Sequence, residues 1–338
     1  MTHVKAQGSN EKTSDSESCG FPMELPNVIV SMSPHIRGET TVARMMLTVI
    51  IGLVPAALAG VYLFGIRALV VIALSVVTAL GVESAIEALT HQRPTSSDLH
   101  AVLTGLLLAL ILPPSVPWWI PVIGAAVAII LGKMVFGGLG NYPFNPVLVA
   151  WVVLKLSWAE RMGLFFAPHT TSQALTPLMA VKEDPALFYS YELLSLFLGD
   201  KAGPIGTVCG LAVLTGGLFV LFKGMIRWHI PVAFLLGVGL FSGILRVINP
   251  DIYPSVAFQL MGGGVLLGAF FLAPEPVTSP VTPWGMLLFG FLAGLTTMVI
   301  RMWGADPDGT FYAILIMNAA TPLCNYLKPR PYGRGHRA

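Results

Sequence analysis

The hydroxyl-rich stretch His169-Thr-Thr-Ser-Gln-Ala-Leu-Thr176-Pro-Leu178, followed by Met-Ala-Val-Lys-Glu-Asp, holds the side chains best suited to chemistry. Thr176 stands directly before a proline, which reads as a helix N-cap with Pro177 at the first helical position. The same hydroxyl can carry a phosphate ester, because a cap leaves it accessible beside backbone N–H groups that favour an anion. On the residues alone the two readings are compatible and both stay open. A second segment, Phe136-Gly-Gly-Leu-Gly-Asn-Tyr-Pro-Phe-Asn-Pro146, gathers Gly137, Gly138 and Gly140 beside Asn141 and Asn145. It describes irregular backbone pressed closely against something, either a neighbouring helix or the edge of a phosphate or flavin. It follows no strand and is no dinucleotide fingerprint.

Four carboxylates are candidates for a cation path. Glu83 and Glu87, at i and i+4, share one helix face. Asp98 follows them, and Glu275 sits in Ala273-Pro-Glu-Pro-Val-Thr-Ser-Pro-Val-Thr282. Carboxylates at helix ends also reach out to head groups or water, so that reading stands beside the first. Cys19, Cys209 and Cys324 are far apart with no C-x-x-C spacing, so no metal site is expected, and no residue is picked as catalytic.

The elements that must position these groups are transmembrane helices. The chain of 338 residues has 19 Lys+Arg and 17 Asp+Glu, 11% charged, with 55% hydrophobic residues and a mean hydropathy of +0.76. That is too little charge to cover a soluble surface, which excludes a soluble enzyme, a disulfide scaffold, a disordered chain and a nucleic-acid binder. The net charge of +2 implies no acidic partner. About ten apolar runs are predicted, at Thr41–Phe64, Ala68–Leu89, Leu99–Leu112, Trp118–Phe136, Pro146–Trp158, Pro204–Phe222, Ile230–Ile248, Val256–Leu272, Trp284–Ile300 and Phe311–Leu327. The polar stretch Ala159–Gly203 divides them. The first 40 residues are mostly polar, without a cleaved signal peptide, and read as an internal tail.

Lys/Arg asymmetry sets the orientation. Ten helices from a cytoplasmic N-terminus return the basic tail at Lys328, Arg330, Arg334 and Arg337 to the cytoplasm, together with the loops holding Arg93 and Lys223 with Arg227. The far side receives Arg67, Arg246 and Arg301 as isolated loop cations. It also receives the 159–203 loop, where Arg161, Lys182 and Lys201 are offset by Glu160, Glu183, Asp184 and Asp200. Thr176 is therefore expected outside. Leu103–Pro117 echoes Gly262–Pro280, each a Gly/Leu-rich run ended by prolines, and they fall third in two sets of five helices. An odd number of crossings per set inverts the second copy. The expected domains are a cytoplasmic tail (1–40), a first five-helix repeat (41–158), the external loop (159–203), a second repeat (204–327) and a cytoplasmic basic tail (328–338).

Ser33-Pro-His-Ile-Arg37, LTGLLLALILPP, FGGLGNYPFNP, FFLAPEPVTSP and FYAILIMNAATPLCNYLKPRPYG, collinear between Ser33 and Gly333, resemble the RnfD family, the D component of the Rnf electron-transport complex. They also resemble its relative, the B component of the sodium-pumping NADH:quinone reductase. The resemblance implies an all-α polytopic fold like that of urea channels, two inverted five-helix repeats, in the inner membrane of a bacterium or archaeon. It further implies FMN joined through its phosphate to a threonine in an extracytoplasmic loop, usually in a Ser/Thr-Gly-Ala-Thr motif followed by Pro-Leu. Thr176-Pro-Leu178 occupies that place, although this chain reads Gln173-Ala174-Leu175 before it and lacks the Gly. Thr170 and Thr171 are poorer candidates because no Pro-Leu follows. A second, non-covalent flavin (riboflavin or FMN) is implied in the core, with the Gly137–Asn145 segment its suggested neighbour. The partners implied are the A, B, C, E and G components of the Rnf complex, a flavin transferase, and indirectly ferredoxin and NAD, with electron relay coupled to Na⁺ or H⁺ movement. A channel or facilitator for a small neutral solute on the same scaffold is the alternative.

Overall fold

A computed structural model describes residues 41–90, 98–170 and 172–326 of the chain. The tails 1–40 and 328–338, the Ser33–Arg37 motif, the Arg93 loop, Thr171 and Leu327 lie outside the described residues. Among the described residues the regular structure is all helical, with one isolated bridge, Phe166 with Gln173, in the connecting segments.

Among the described residues five stretches have the length and apolarity to cross a bilayer: Val42–Phe64 (α1), Ile66–Thr90 (α2), Trp119–Phe136, His229–Ile248 (α10) and Pro283–Trp303 (α13). The third consists of α4 (Trp119–Ile130) and a short 3₁₀ turn, Met134–Phe136. At 1.5 Å per residue the 23 residues of α1 reach about 35 Å, enough for the hydrocarbon core. Thr41 starts α1 by accepting from the Arg44 amide at 3.3 Å. Gly65, at φ 65°, makes the reversal into α2, a conformation that a side chain would oppose. Large apolar side chains stay exposed along α1, α2 and α10, among them Leu58 at 63% and Val247 at 85%, as a lipid-facing surface requires.

The remaining apolar runs are shorter than a full crossing. They are α3 (His100–Ile111), α5 (Pro146–Ser157), α9 (Gly210–Phe222) and α14 (Thr310–Asn325). The run expected at Val256–Leu272 is broken into α11 (Val256–Met261), α12 (Val265–Leu267) and a π turn, Gly268–Leu272. Pro113 and Pro114 end α3, since they cannot continue the amide ladder. Gly262-Gly263-Gly264 makes the second break, with Gly263 at φ 63° and a Cβ on Gly264 falling 2.7 Å from the Phe311 ring.

Broken helices at membrane depth leave carbonyls that the protein itself has to satisfy. For α3 the acceptors Leu110 O and Leu112 O take the amides of Gly206, at 2.7 Å, and Ile205, at 3.1 Å. Pro204–Cys209 is thus a turn that closes the first half, and the helix expected to begin at Pro204 begins at Gly210. At the second break, Arg301 reaches Gln259 O at 2.7 Å and Gly262 O at 2.9 Å, Lys201 reaches Met261 O at 2.6 Å, and Asp308 takes the Gly264 amide at 2.7 Å. Arg301 is a buried residue of α13 and Arg246 lies in the last turn of α10, so neither is the loop cation expected from charge counting.

Helix contacts fall into two sets, one on either side of the 159–203 loop. In the first half α2 packs on α3 and α4, α4 on α5, and α3 on α1 and α5. In the second α10 packs on α11 and α13, α13 on α14, α12 on α9 and the π turn on α14. The halves meet where α1 crosses α9 and α5 crosses α14, and all the described residues fall in one unit, Thr40–Ala338. Small residues permit the tight crossings: Gly290 and Gly294 of α13 lie against the backbone of α10, and Gly52 of α1 against Gly216 of α9.

The loop between the halves carries α6 (Ala159–Met162), α7 (Pro177–Glu183), a 3₁₀ turn (Pro185–Ser190) and α8 (Leu193–Leu198). The bridge at Phe166 and Gln173, flanked by Ala174 N to Phe165 O at 3.1 Å, turns a hairpin with His169 and Thr170 at its tip. Leu178, Val181, Phe188 and Leu196 bury together against Phe258 of α11, which fixes α7 to the second break.

Candidate functional site

Thr176 is the N-cap of α7, in extended backbone, and its hydroxyl oxygen accepts from the Met179 amide at 3.2 Å while Pro177 opens the helix. The capping half of the expectation is met, and it leaves the hydroxyl proton uninvolved. Thr176 lines a cavity of about 60 Å³ with Lys155, Lys201, Thr207, Asp306 and Asp308. Lys155 is paired with Asp306 at 3.3 Å, and Asp308 with Arg301 at 2.8 Å. Burial lowers the Lys201 ammonium to about 8, with Asp308 and Cys209 opposing the shift and Arg301 adding to it. Burial also lowers Lys182, whose ammonium donates to Arg301 O and Gly304 O at the end of α13. Thr170 lies away from this cavity, at the hairpin tip.

The residues around Thr176 fit a phosphoryl group. Thr176 is half-buried and lines the cavity with the ammonium groups of Lys155 and Lys201, while the carboxylates of Asp306 and Asp308 on the same wall are met by Lys155 and Arg301. Lys201 is the member that sequence reading missed, since Asp200 beside it suggested two cancelling surface charges. Its one local signal is the tight Gly199-Asp-Lys-Ala-Gly-Pro204 setting, which turns the chain inward.

A larger cavity, about 400 Å³, lies between α1, α3, the Gly-rich segment and the proline-rich stretch after the π turn. Its walls are mostly apolar, with Met45, Met46, Leu107 and Phe271 among them, and a line of polar groups crosses it. His100 Nε2 is 2.9 Å from the Tyr142 hydroxyl, which donates to Glu275 Oε1 at 2.7 Å, and Thr278 donates to Glu275 Oε2 at 3.2 Å. Both carboxylate oxygens accept, so the donors run one way, from His100 through Tyr142 to Glu275. Thr104 extends the line with its oxygen 3.3 Å from His100 Nδ1. Asn145 caps α5 through the amides of Val147 and Leu148 and donates to Leu272 O at 3.3 Å.

The cavity brings together Gly140, Asn145 and Glu275 of the sequence candidates. Gly137, Gly138 and Asn141 are not on its wall: they form the turn behind it, where Asn141 bonds back to Gly137 O at 3.4 Å. The side chains that face the cavity instead are His100, Thr104 and Tyr142. A lone His opening an apolar run was the available signal for His100. Nothing local joins it to a tyrosine 42 residues on.

Glu83 and Glu87 lie on one face of α2, as spacing predicts, and both are buried rather than extended to a head-group layer. Glu83 takes the Lys133 ammonium at 2.5 Å, a pair whose members are 0% and 1% exposed. Lys133 follows Gly132 at the end of the α4 run and was not singled out. Asp98 is half-buried just before α3. Among the described residues no cluster of His, Cys, Asp or Glu is arranged to hold a metal.

The model of the NQR2, RnfD, RnfE family matches residues 29–333. The chain is 40% identical over 312 residues to the D component of the Na⁺-translocating ferredoxin:NAD⁺ oxidoreductase complex of Acetobacterium woodii, covering 91% of this chain and 96% of that one. It is 36% identical over 344 residues to the D component of the ion-translocating oxidoreductase complex of Salmonella paratyphi A, covering 90% of this chain and 98% of that one. With its helices, its two breaks and all its described residues inside the matched region, the chain belongs to the NQR2, RnfD, RnfE family.

Proposed function

We propose that the chain is the D-type membrane component of an ion-translocating ferredoxin:NAD⁺ oxidoreductase, carrying FMN on Thr176 and a second, non-covalent flavin in the Tyr142 cavity. The complexes to which the two relatives belong support this reading. The observation that carries the attachment is Thr176, a capping hydroxyl opening into a cavity lined by Lys155 and Lys201. When bound, FMN supplies one- and two-electron transfer. The chain's own task is placement. Pro177 and the Met179 amide hold the Thr176 oxygen, while Leu178 and Val181 pin α7 to α11.

In the larger cavity, apolar walls exclude water from a planar ligand, and the polar line of His100, Tyr142 and Glu275 runs along one side. Glu275 is the carboxylate we assign to the coupled ion or proton. It faces this cavity through Tyr142, whereas the Glu83 charge is met by Lys133. The recurrent packing of α1–α5 and α9–α14 supports two five-helix repeats, the second inverted by the odd number of crossings in each. The complex would sit in the inner membrane with Thr176 outside, beside the other Rnf-type components, after a flavin transferase has acted.

Intact mass of the protein purified with its complex tests the attachment. An added FMN and in-gel flavin fluorescence are expected in wild type, and both vanish in Thr176→Ala. Fluorescence retained in Thr176→Ala overturns the site, and a wild type without added mass, co-expressed with its transferase, overturns the cofactor.

A further inference from the structure

The cations around the Thr176 cavity are not equally provided for. Arg301 has Asp308, Lys155 has Asp306, and Lys182 is spent on the carbonyls ending α13. Lys201 is 6% exposed, and its hydrogen bond is to a neutral carbonyl, Met261 O at 2.6 Å. Among the described residues no carboxylate stands within ion-pair distance of it. An ammonium has three N–H donors, and one carbonyl occupies only one. Burying such a charge without an anion is costly unless something else brings one. The group lines the same cavity as the Thr176 hydroxyl, and the cavity has room for a few waters or a phosphoryl group while a three-ring system has to lie outside it.

We propose that Lys201 is a positioning residue, the counter-charge that seats the phosphoryl group carried by Thr176, an inference that rests on the attachment proposed above. A phosphodiester bears one negative charge. Leaving aside Lys182, which is exposed to solvent and does not line the cavity, that is the number the cluster lacks once Lys155 cancels Asp306 and Arg301 cancels Asp308. Lys201 then holds Met261 O with one N–H and the ester oxygens with the others. Lys155, more open to solvent and already paired, marks the rim.

The alternative role, a plain cap on Met261 O, is separated by a cycle in purified complex. Wild type, Lys201→Gln and Lys201→Arg are each compared with and without Thr176→Ala, reading flavinylated fraction by intact mass and the melting temperature of the protein. The rise in melting temperature on attachment is expected in wild type and Lys201→Arg and to fall by half or more in Lys201→Gln, with flavinylation several-fold slower. An equal rise in Lys201→Gln, the additive result of a cap alone, overturns the proposal. A measurement on folded wild type stands beside it: the ³¹P resonance of the ester should move with alkaline pH and stand still in Lys201→Arg. An immobile wild-type resonance overturns Lys201 while leaving the attachment intact, whereas absence of any added FMN removes both.

Discussion

Tyr142 is the hinge of the polar line in the large cavity, receiving from His100 and giving to Glu275. A hydrogen bond to a charged group contributes about 1.5–3 kcal/mol, so Tyr142→Phe, which takes the donor from Glu275 Oε1, should lower the melting temperature and, by loosening that wall of the cavity, weaken retention of a non-covalent flavin. Flavin released on denaturing the purified complex measures this, and unchanged retention would move the second flavin elsewhere. Lys201 makes a pH-dependent contribution of defined sign. Its folded value is about 8 against 10.5 for the free side chain. Between those values the unfolded state binds a proton that the folded state has released, so stability rises with pH. Below about 8 both states are protonated and the slope disappears. In the Thr176→Ala protein, melting temperature should climb from about pH 8 toward the free-lysine value of 10.5, and Lys201→Gln should remove that climb.

Helix crossings depend on a few small residues, and here the outcome of substitution is set by geometry. A Cβ on Gly294 meets the α10 backbone, with Val238 N at 2.9 Å and Gly237 Cα at 3.1 Å, while one on Gly81 meets nothing within 4 Å. Gly294→Leu should cost about 1–3 kcal/mol or prevent folding, whereas Gly81→Ala should leave the melting temperature of the detergent-solubilised protein within error. The element pattern was legible where it is local. Thr41–Phe64 became α1 with a one-residue difference, and Thr-Pro at 176–177 became the cap of α7. Val256–Leu272 was read as one helix although its three consecutive glycines announced the break, because apolarity alone does not separate a helix from a buried irregular segment. The Glu83–Lys133 pair, 50 residues apart, and the link from Tyr142 to Glu275, 133 apart, are products of packing. No periodicity within either segment encodes them. Lys201 misled in the same way, its neighbour Asp200 suggesting a cancellation that folding undoes by turning only the lysine inward.

At the scale of the molecule, sidedness decides whether the parts can work as proposed. Thr170 at the hairpin tip is exposed and close in sequence to Thr176. A Thr170→Cys variant with Cys19, Cys209 and Cys324 replaced by serine should react in intact cells with a membrane-impermeant maleimide. Labelling only after lysis would put the flavin on the wrong face for an external donor. The amides that satisfy Leu110 O and Leu112 O belong to Ile205 and Gly206, well beyond the last helix of the first half. During synthesis, the helices that precede the loop therefore have two acceptors bare until the whole loop has left the ribosome. A gene split between the halves would yield a first product that cannot mature by itself, and membrane proteases that survey for exposed polar backbone would be expected to clear it.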